Sequence, residues 1–144
     1  MHTEVLNLHL ASPLYYVPEE NPEPFGYRPP SAASPGPEML FCFDLDETQY
    51  RDFEPDGKRL FGELIFGGVL AGNSQGEERL LELPRGDYLF AQKRELLSRE
   101  DIVALAVEIQ MEGLWQRLKP EKKLYLRYLF EDGKTVTQIF RPYS

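Results

Sequence analysis

The spacing of apolar positions changes several times along the chain, and each change marks an element. Residues 4–10 (EVLNLHL) alternate, with Leu6, Leu8 and Leu10 on one face and His9 on the other, as in a strand with one wet side. Pro13 interrupts this strand before the run Leu14, Tyr15, Tyr16, Val17. Residues 39–45 (MLFCFDL) and 59–71 (RLFGELIFGGVLA) read as two more strands. In the second, Gly62, Gly67 and Gly68 mark bulges, a bend or a close approach to the backbone. Residues 80–93 (LLELPRGDYLFAQK) alternate again around a bend at Pro84, Arg85 and Gly86. The period then lengthens. Ser98 stands three residues ahead of Asp101, a start resembling a capping box. Ile102, Leu105, Ala106 and Ile109 follow at helical spacing and leave Glu108 and Glu112 off the buried stripe. Gly113 and the pair Lys119 and Pro120 bound the place where this helix stops. Residues 122–130 and 134–140 are β-rich, and Asp132 with Gly133 between them is the strongest hairpin signal in the sequence.

Residues 18–37 break the pattern. Pro18, Pro22, Pro24, Pro29, Pro30, Pro35 and Pro37 bring seven of the twelve prolines into this span, which excludes a regular helix. The span reads as a long loop of the kind used as a lid or binding loop, with Phe25 and Tyr27 available to pin it down. The first half therefore runs strand, loop, strand, strand, and the second runs strand, helix, strand, strand. This is a repeat in element order, with the loop standing where a first helix would be. The pattern predicts one α+β domain over residues 1–144: an antiparallel sheet of about six to eight strands with one helix on one face.

Composition narrows the function. The 144 residues suffice for one domain with a core. No apolar run approaches the roughly 20 residues that span a bilayer, and the N-terminus lacks a basic-then-apolar leader, so a cytoplasmic location without membrane contact is expected. The net charge of −8, without clustered Lys or Arg, argues against direct nucleic-acid contact. The single cysteine, Cys42, excludes an internal disulfide and sits in an apolar strand as an inert thiol would. Two histidines near the N-terminus, no phosphate-cradling loop, no Cys/His cluster and no nucleophile elbow leave no catalytic residue, metal site or cofactor to assign.

The stretch Leu81, Glu82, Leu83, Pro84, Arg85, Gly86, Asp87, Tyr88, followed by a helix at about 99–112 and a closing hairpin, resembles the GyrI-like family. That family includes gyrase-inhibitor-like proteins and the effector-binding domains of MerR- and AraC-type multidrug-sensing regulators. The resemblance covers about residues 39–142, and its motif is Leu-Pro-x-Gly-x-Tyr. It implies a duplicated strand–helix–strand–strand unit, with helices on one side of the sheet and a concave aromatic face that binds lipophilic small molecules. Many of the regulators carry a buried Glu, which meets cationic ligands, near the start of the strand corresponding to 122–130. By register that Glu falls near Lys123 here, and a family proline falls near Arg127. The first helix is a third departure.

Alternation along residues 122–130 sends Leu124, Leu126, Tyr128 and Phe130 toward the helix, and Lys123, Tyr125, Arg127 and Leu129 toward the concavity. Tyr88, Phe90 and Gln92 share one face of a neighbouring strand. The candidate ligand-binding residues are Tyr15, Glu63, Phe66, Tyr88, Phe90, Glu108, Trp115, Tyr125, Arg127 and Tyr143. Arg127 lies mid-strand and needs a partner, either Glu63 or an anionic ligand group, so neutral or anionic aromatic ligands are expected over cations. The expected function is binding of a small aromatic or lipophilic molecule, by a sensor or by the effector domain of a transcriptional regulator, with a homodimer admitted. Two alternatives stand beside it: a small hydrolase using a pocket Glu such as Glu63 or Glu108, and a gyrase-inhibitor-like protein acting through its acidic surface.

Overall fold

The computed structural model describes residues 5–18, 38–44, 63–70, 80–119, 121–131 and 133–143. In chain order they form β1 (Leu6–Leu10), β2 (Leu14–Pro18), β3 (Met39–Asp44), β4 (Glu63–Leu70), β5 (Leu81–Leu83), β6 (Gly86–Lys93), α1 (Arg99–Trp115), β7 (Lys123–Glu131) and β8 (Lys134–Pro142). The α+β architecture is the expected one. Of the Pro-rich span 18–37, only Pro18 lies among the described residues, where it closes β2. No helix among the described residues is long and apolar enough to cross a membrane.

The strands form one sheet in the order β1-β6-β8-β7-β3-β4-β2-β5, antiparallel throughout. Residues 11–13 separate β1 from β2, and Pro84 and Arg85 separate β5 from β6. Each pair is thus one bent strand. Its halves pair with the halves of the other, β1 with β6 and β2 with β5, while β6 also pairs β8 and β2 also pairs β4. The sheet is curled into a half-barrel.

Two local features shape the curl. Gly86 has φ 143°, a conformation that side-chain-bearing residues rarely adopt, and the Tyr88 hydroxyl donates a hydrogen bond to the Pro84 carbonyl across the bend. The Pro-x-Gly-x-Tyr spacing therefore builds a kink and clamps it. At Gly68 a strand comes so close that an added Cβ would lie 2.3 Å from the Val17 carbonyl oxygen, the close approach that its glycine signalled. β4 also carries a bulge, but at Ile65, opposite Cys42 and Phe43, and not at the glycines that were expected to mark one.

The helix begins as its sequence predicts. Ser98 Oγ accepts from the Asp101 amide at 3.2 Å, and the Ile102 amide donates to the Ser98 carbonyl at 2.9 Å. Its end falls between Gly113 and Lys119, as expected, with the C-cap at Gln116. Arg117 takes φ 57°, and the Leu118 amide reaches back to the Gly113 carbonyl at 3.0 Å, a Schellman closure with arginine in the left-handed position. Gly113 also lets the helix sit close to the sheet, since a Cβ there would meet Leu89 Cδ1 at 3.1 Å.

Ile102, Val103, Leu105, Ala106 and Ile109 pack on Phe41, Phe43, Leu89, Ala91, Leu124, Leu126, Tyr128 and Ile139. Burying each large apolar side chain of this layer contributes about 1.5–3 kcal/mol before the entropy of ordering it is subtracted. The opposite face of the sheet carries a second core, made of Tyr16, Leu40, Cys42, Leu83, Tyr88, Phe90, Tyr125 and Phe140. Leu8, Leu10, Leu14, Phe66 and Leu81 ring it, half-buried, so all eight strands contribute to this one cluster. Flat, at ~4.8 Å per strand, the two outermost strands would stand roughly 33 Å apart and could not share a cluster. Curling is what brings them together.

A candidate ligand-binding face

The second core is arranged in cross-strand rows. Phe90 on β6 lies opposite Phe140 on β8, Phe140 opposite Tyr125 on β7, Tyr125 opposite Cys42 on β3, and Cys42 opposite Phe66 on β4. The Phe90 and Phe140 ring centroids are 4.9 Å apart. Tyr88, two residues back along β6, sets its ring edge-on to Phe140 at 5.8 Å and to Tyr125 at 6.3 Å. Phe66 reaches Tyr125 at 6.5 Å across the intervening strand. These separations are those of favourable offset and edge-to-face contacts.

Two residues further along the same strands, the row turns polar: Gln92 lies opposite Gln138, Gln138 opposite Arg127, and Arg127 opposite Leu40. Gln138 Nε2 donates to Gln92 Oε1 at 3.0 Å, and Arg127 Nη1 donates to Gln138 Oε1 at 3.1 Å. Arg127 Nη2 meets Glu38 Oε2 at 2.7 Å, and the Tyr16 hydroxyl donates to the same oxygen at 2.8 Å. A continuous strip thus runs from Tyr16 through Glu38, Arg127 and Gln138 to Gln92. The ion pair keeps only 18% and 15% of its side-chain surface exposed, and Arg127 Nε is buried with no acceptor among the described residues.

Burial pushes the Tyr88 phenol up to about 12, with the charges of Glu121 and Glu82 acting in the same direction. Burial also raises Tyr125 and Tyr16; at Tyr16 the Arg127 charge opposes that rise and Glu38 adds to it. The Cys42 thiol is likewise pushed up to about 12 by burial, against the pull of Lys123. All four groups are protonated at neutral pH. The face therefore offers apolar rings, hydroxyls already engaged within the protein and one internally neutralised ion pair, and its thiol is no nucleophile.

Five of the sequence candidates meet here: Phe66, Tyr88, Phe90, Tyr125 and Arg127. The others do not. Tyr15 points to the other face from Tyr16 and is 44% exposed. Trp115 is 84% exposed at the end of α1. Tyr143 packs against the helix-side core, and its hydroxyl accepts from Asn7 Nδ2 at 3.0 Å. Glu108 is on α1, across the sheet from the rings, and lines an open depression of about 330 Å³ with Lys93, Glu95 and Asp101. Glu63 opens β4 opposite Asp44, and its side chain is outside the described residues. Among the described residues the partner of Arg127 is Glu38, which was not among the partners expected for it.

Tyr16, Glu38, Gln138 and Phe140 are the members that the sequence reading missed. Three had a signal. The even-numbered apolar positions Leu6, Leu8 and Leu10 keep their parity across Pro13, which selects Tyr16 over Tyr15. A two-residue turn at Asp132 and Gly133 makes Glu131 face Lys134, and counting back puts Phe140 opposite Tyr125 and Gln138 opposite Arg127. Glu38 had none, because its neighbour depends on the long-range register of β3 on β7.

Among the described residues, no group of three or more His, Cys, Asp or Glu side chains converges as a metal site requires. No protein-family model matches the sequence, and no curated protein matches it significantly.

Proposed function

We propose that this chain is a cytoplasmic sensor of the GyrI-like kind, acting alone or as the effector domain of a regulator, that binds small flat aromatic or lipophilic molecules on its concave face. The observation that carries the reading is the in-register aromatic row from Phe90 to Phe66 with a polar strip beside it. Drug-sized ligands are held by mostly apolar and aromatic walls with a few placed polar groups, and each added ring contact contributes about 0.5–1.5 kcal/mol. Phe66 and Phe90 are the least enclosed rings of the row and are the ones a ligand would turn aside.

The strand order supports a duplicated unit. Exchanging β1–β4 for β5–β8, element by element, turns the order β1-β6-β8-β7-β3-β4-β2-β5 into its own reverse. Two copies of one unit, each lending its bent first strand to the other, would produce this. The Leu-Pro-x-Gly-x-Tyr motif also has a role in this reading, since it delivers Tyr88 to the rings and anchors its hydroxyl.

Fluorescence titration with N-phenylnaphthylamine tests the proposal. Saturable one-site binding is expected, abolished by Phe66→Lys and unchanged by Trp115→Ala. Absence of binding, or binding lost with Trp115→Ala and kept in Phe66→Lys, would refute it.

A further inference from the structure

The ion pair beside the aromatic row has a consequence for which ligands that row accepts, given that it binds ligands at all. Arg127 and Glu38 are in contact at 2.7 Å and only 18% and 15% exposed, so their charges cancel where water screens them poorly. Their remaining contacts are uncharged groups: the Tyr16 hydroxyl on Glu38 and Gln138 on Arg127. Among the described residues the other cations of this face, Lys123 and Lys134, lie at the two ends of the β7–β8 hairpin and are exposed. A cationic ligand could gain Glu38 only by taking it from Arg127. Among the described residues the guanidinium would then keep only the uncharged Gln138 and Tyr16 side chains, with its Nε already lacking an acceptor. An anionic ligand could gain Arg127 only by taking it from Glu38, which would keep the Tyr16 hydroxyl alone. Either exchange strands a part-buried charge. An uncharged aromatic molecule makes no such demand.

We propose that the Arg127–Glu38 pair is a charge filter: it makes the aromatic face select uncharged aromatic molecules and reject both cations and anions of the same ring size. Each residue suppresses the other's affinity for a ligand. Removing one therefore converts the filter into a receptor for the opposite charge.

The test compares three fluorescent probes: uncharged N-phenylnaphthylamine, anilinonaphthalene sulfonate (the same ring skeleton as an anion) and N-methylacridinium as a cation. Near-UV circular dichroism establishes that each variant is folded. The parent is expected to bind the uncharged probe best. Glu38→Gln should bind the sulfonate ~10-fold or more tighter than the parent does, with no gain for the acridinium. Arg127→Met should show the reverse gain, again ~10-fold or more. The double variant Glu38→Gln with Arg127→Gln has neither charge to strand and retains hydrogen-bonding groups, so it should lose part of the parent's discrimination against both charged probes and favour neither; it serves where a single variant fails to fold. Folded single variants that leave the ranking of the three probes unaltered, in a parent that binds the uncharged one, would overturn the filter and leave the binding reading intact. So would a double variant that discriminates against both charged probes as strongly as the parent does. A parent that binds none of the three would overturn the binding reading itself, and the filter with it.

Discussion

Replacing Tyr125 by alanine removes the ring at the centre of the aromatic row. Tyr125 is 2% exposed and contacts Tyr88 and Phe66 with ring centroids 6.3 and 6.5 Å apart. Truncating a buried aromatic side chain to alanine costs about 3–5 kcal/mol, as lost transfer energy plus the cavity left behind. Losing two ring pairs places this site toward the upper end. For a chain of this size each kcal/mol lowers Tm by about 2–4 °C, so the variant should melt roughly 6–20 °C below the parent. Urea unfolding followed by far-UV circular dichroism measures the loss, and an unchanged m-value attributes it to the folded state. Tyr125→Phe separates ring from hydroxyl: it should cost only about 0.5–1.5 kcal/mol. The cavity should also be refillable. Phenol in large excess over its Kd for the cavity should recover ~2–3 kcal/mol in Tyr125→Ala and clearly less in the parent, whose ring fills that space. A cost for Tyr125→Ala below ~0.5 kcal/mol, the range of surface substitutions, would refute the packed aromatic row.

Four other changes follow from the geometry. Gly68→Ala drives a Cβ to 2.3 Å from the Val17 carbonyl oxygen and 2.9 Å from its carbon, which only separating two strands could relieve. It should cost ~3 kcal/mol or more, read as a lower urea midpoint or as failure to fold. Arg117→Gly relieves the φ of 57° at the end of α1 and should raise stability by about 1 kcal/mol in the same assay. On the alkaline side, burial raises Cys42 from 9.0 and Tyr88 from 10.0, each to about 12 in the folded protein. Both groups bind their protons more tightly folded than unfolded, so their contribution is complete below pH 9 and is lost as pH rises toward 12. Stability should be level up to pH 9 and fall above it, more gently at first in Cys42→Ala; a thiol reagent should modify Cys42 only as the protein unfolds.

How far the sequence reaches is clearest from β7. Alternation alone sorted Leu124, Leu126 and Tyr128 toward α1, and Tyr125 and Arg127 away from it, because the two faces of a strand must differ when helix and solvent do. The Ser98 cap and the stripe Ile102, Leu105, Ala106 and Ile109 were legible for the same local reason. What failed was distance. Trp115 and Tyr143 have the chemistry of pocket residues, but nothing local says that α1 ends in solvent or that Tyr143 turns to the helix side. Glu108 is on the far side of the sheet from the rings. Glu38 precedes its strand and reaches Arg127 only because β3 lies beside β7 in one particular register. Pairing of distant strands is set by the whole curled sheet, and no single stretch encodes it. The Pro-rich span 19–37 and the region 45–62 lie outside the described residues.

The most direct test is a side-chain NMR titration of the aromatic ring protons with N-phenylnaphthylamine. Saturable shifts are expected at Phe66, Phe90, Tyr125 and Phe140, smaller ones at Tyr88, and none at the Trp115 indole. Shifts confined to Trp115 and its neighbours on α1, with the rings of the concave face unmoved at saturation, would contradict binding on that face.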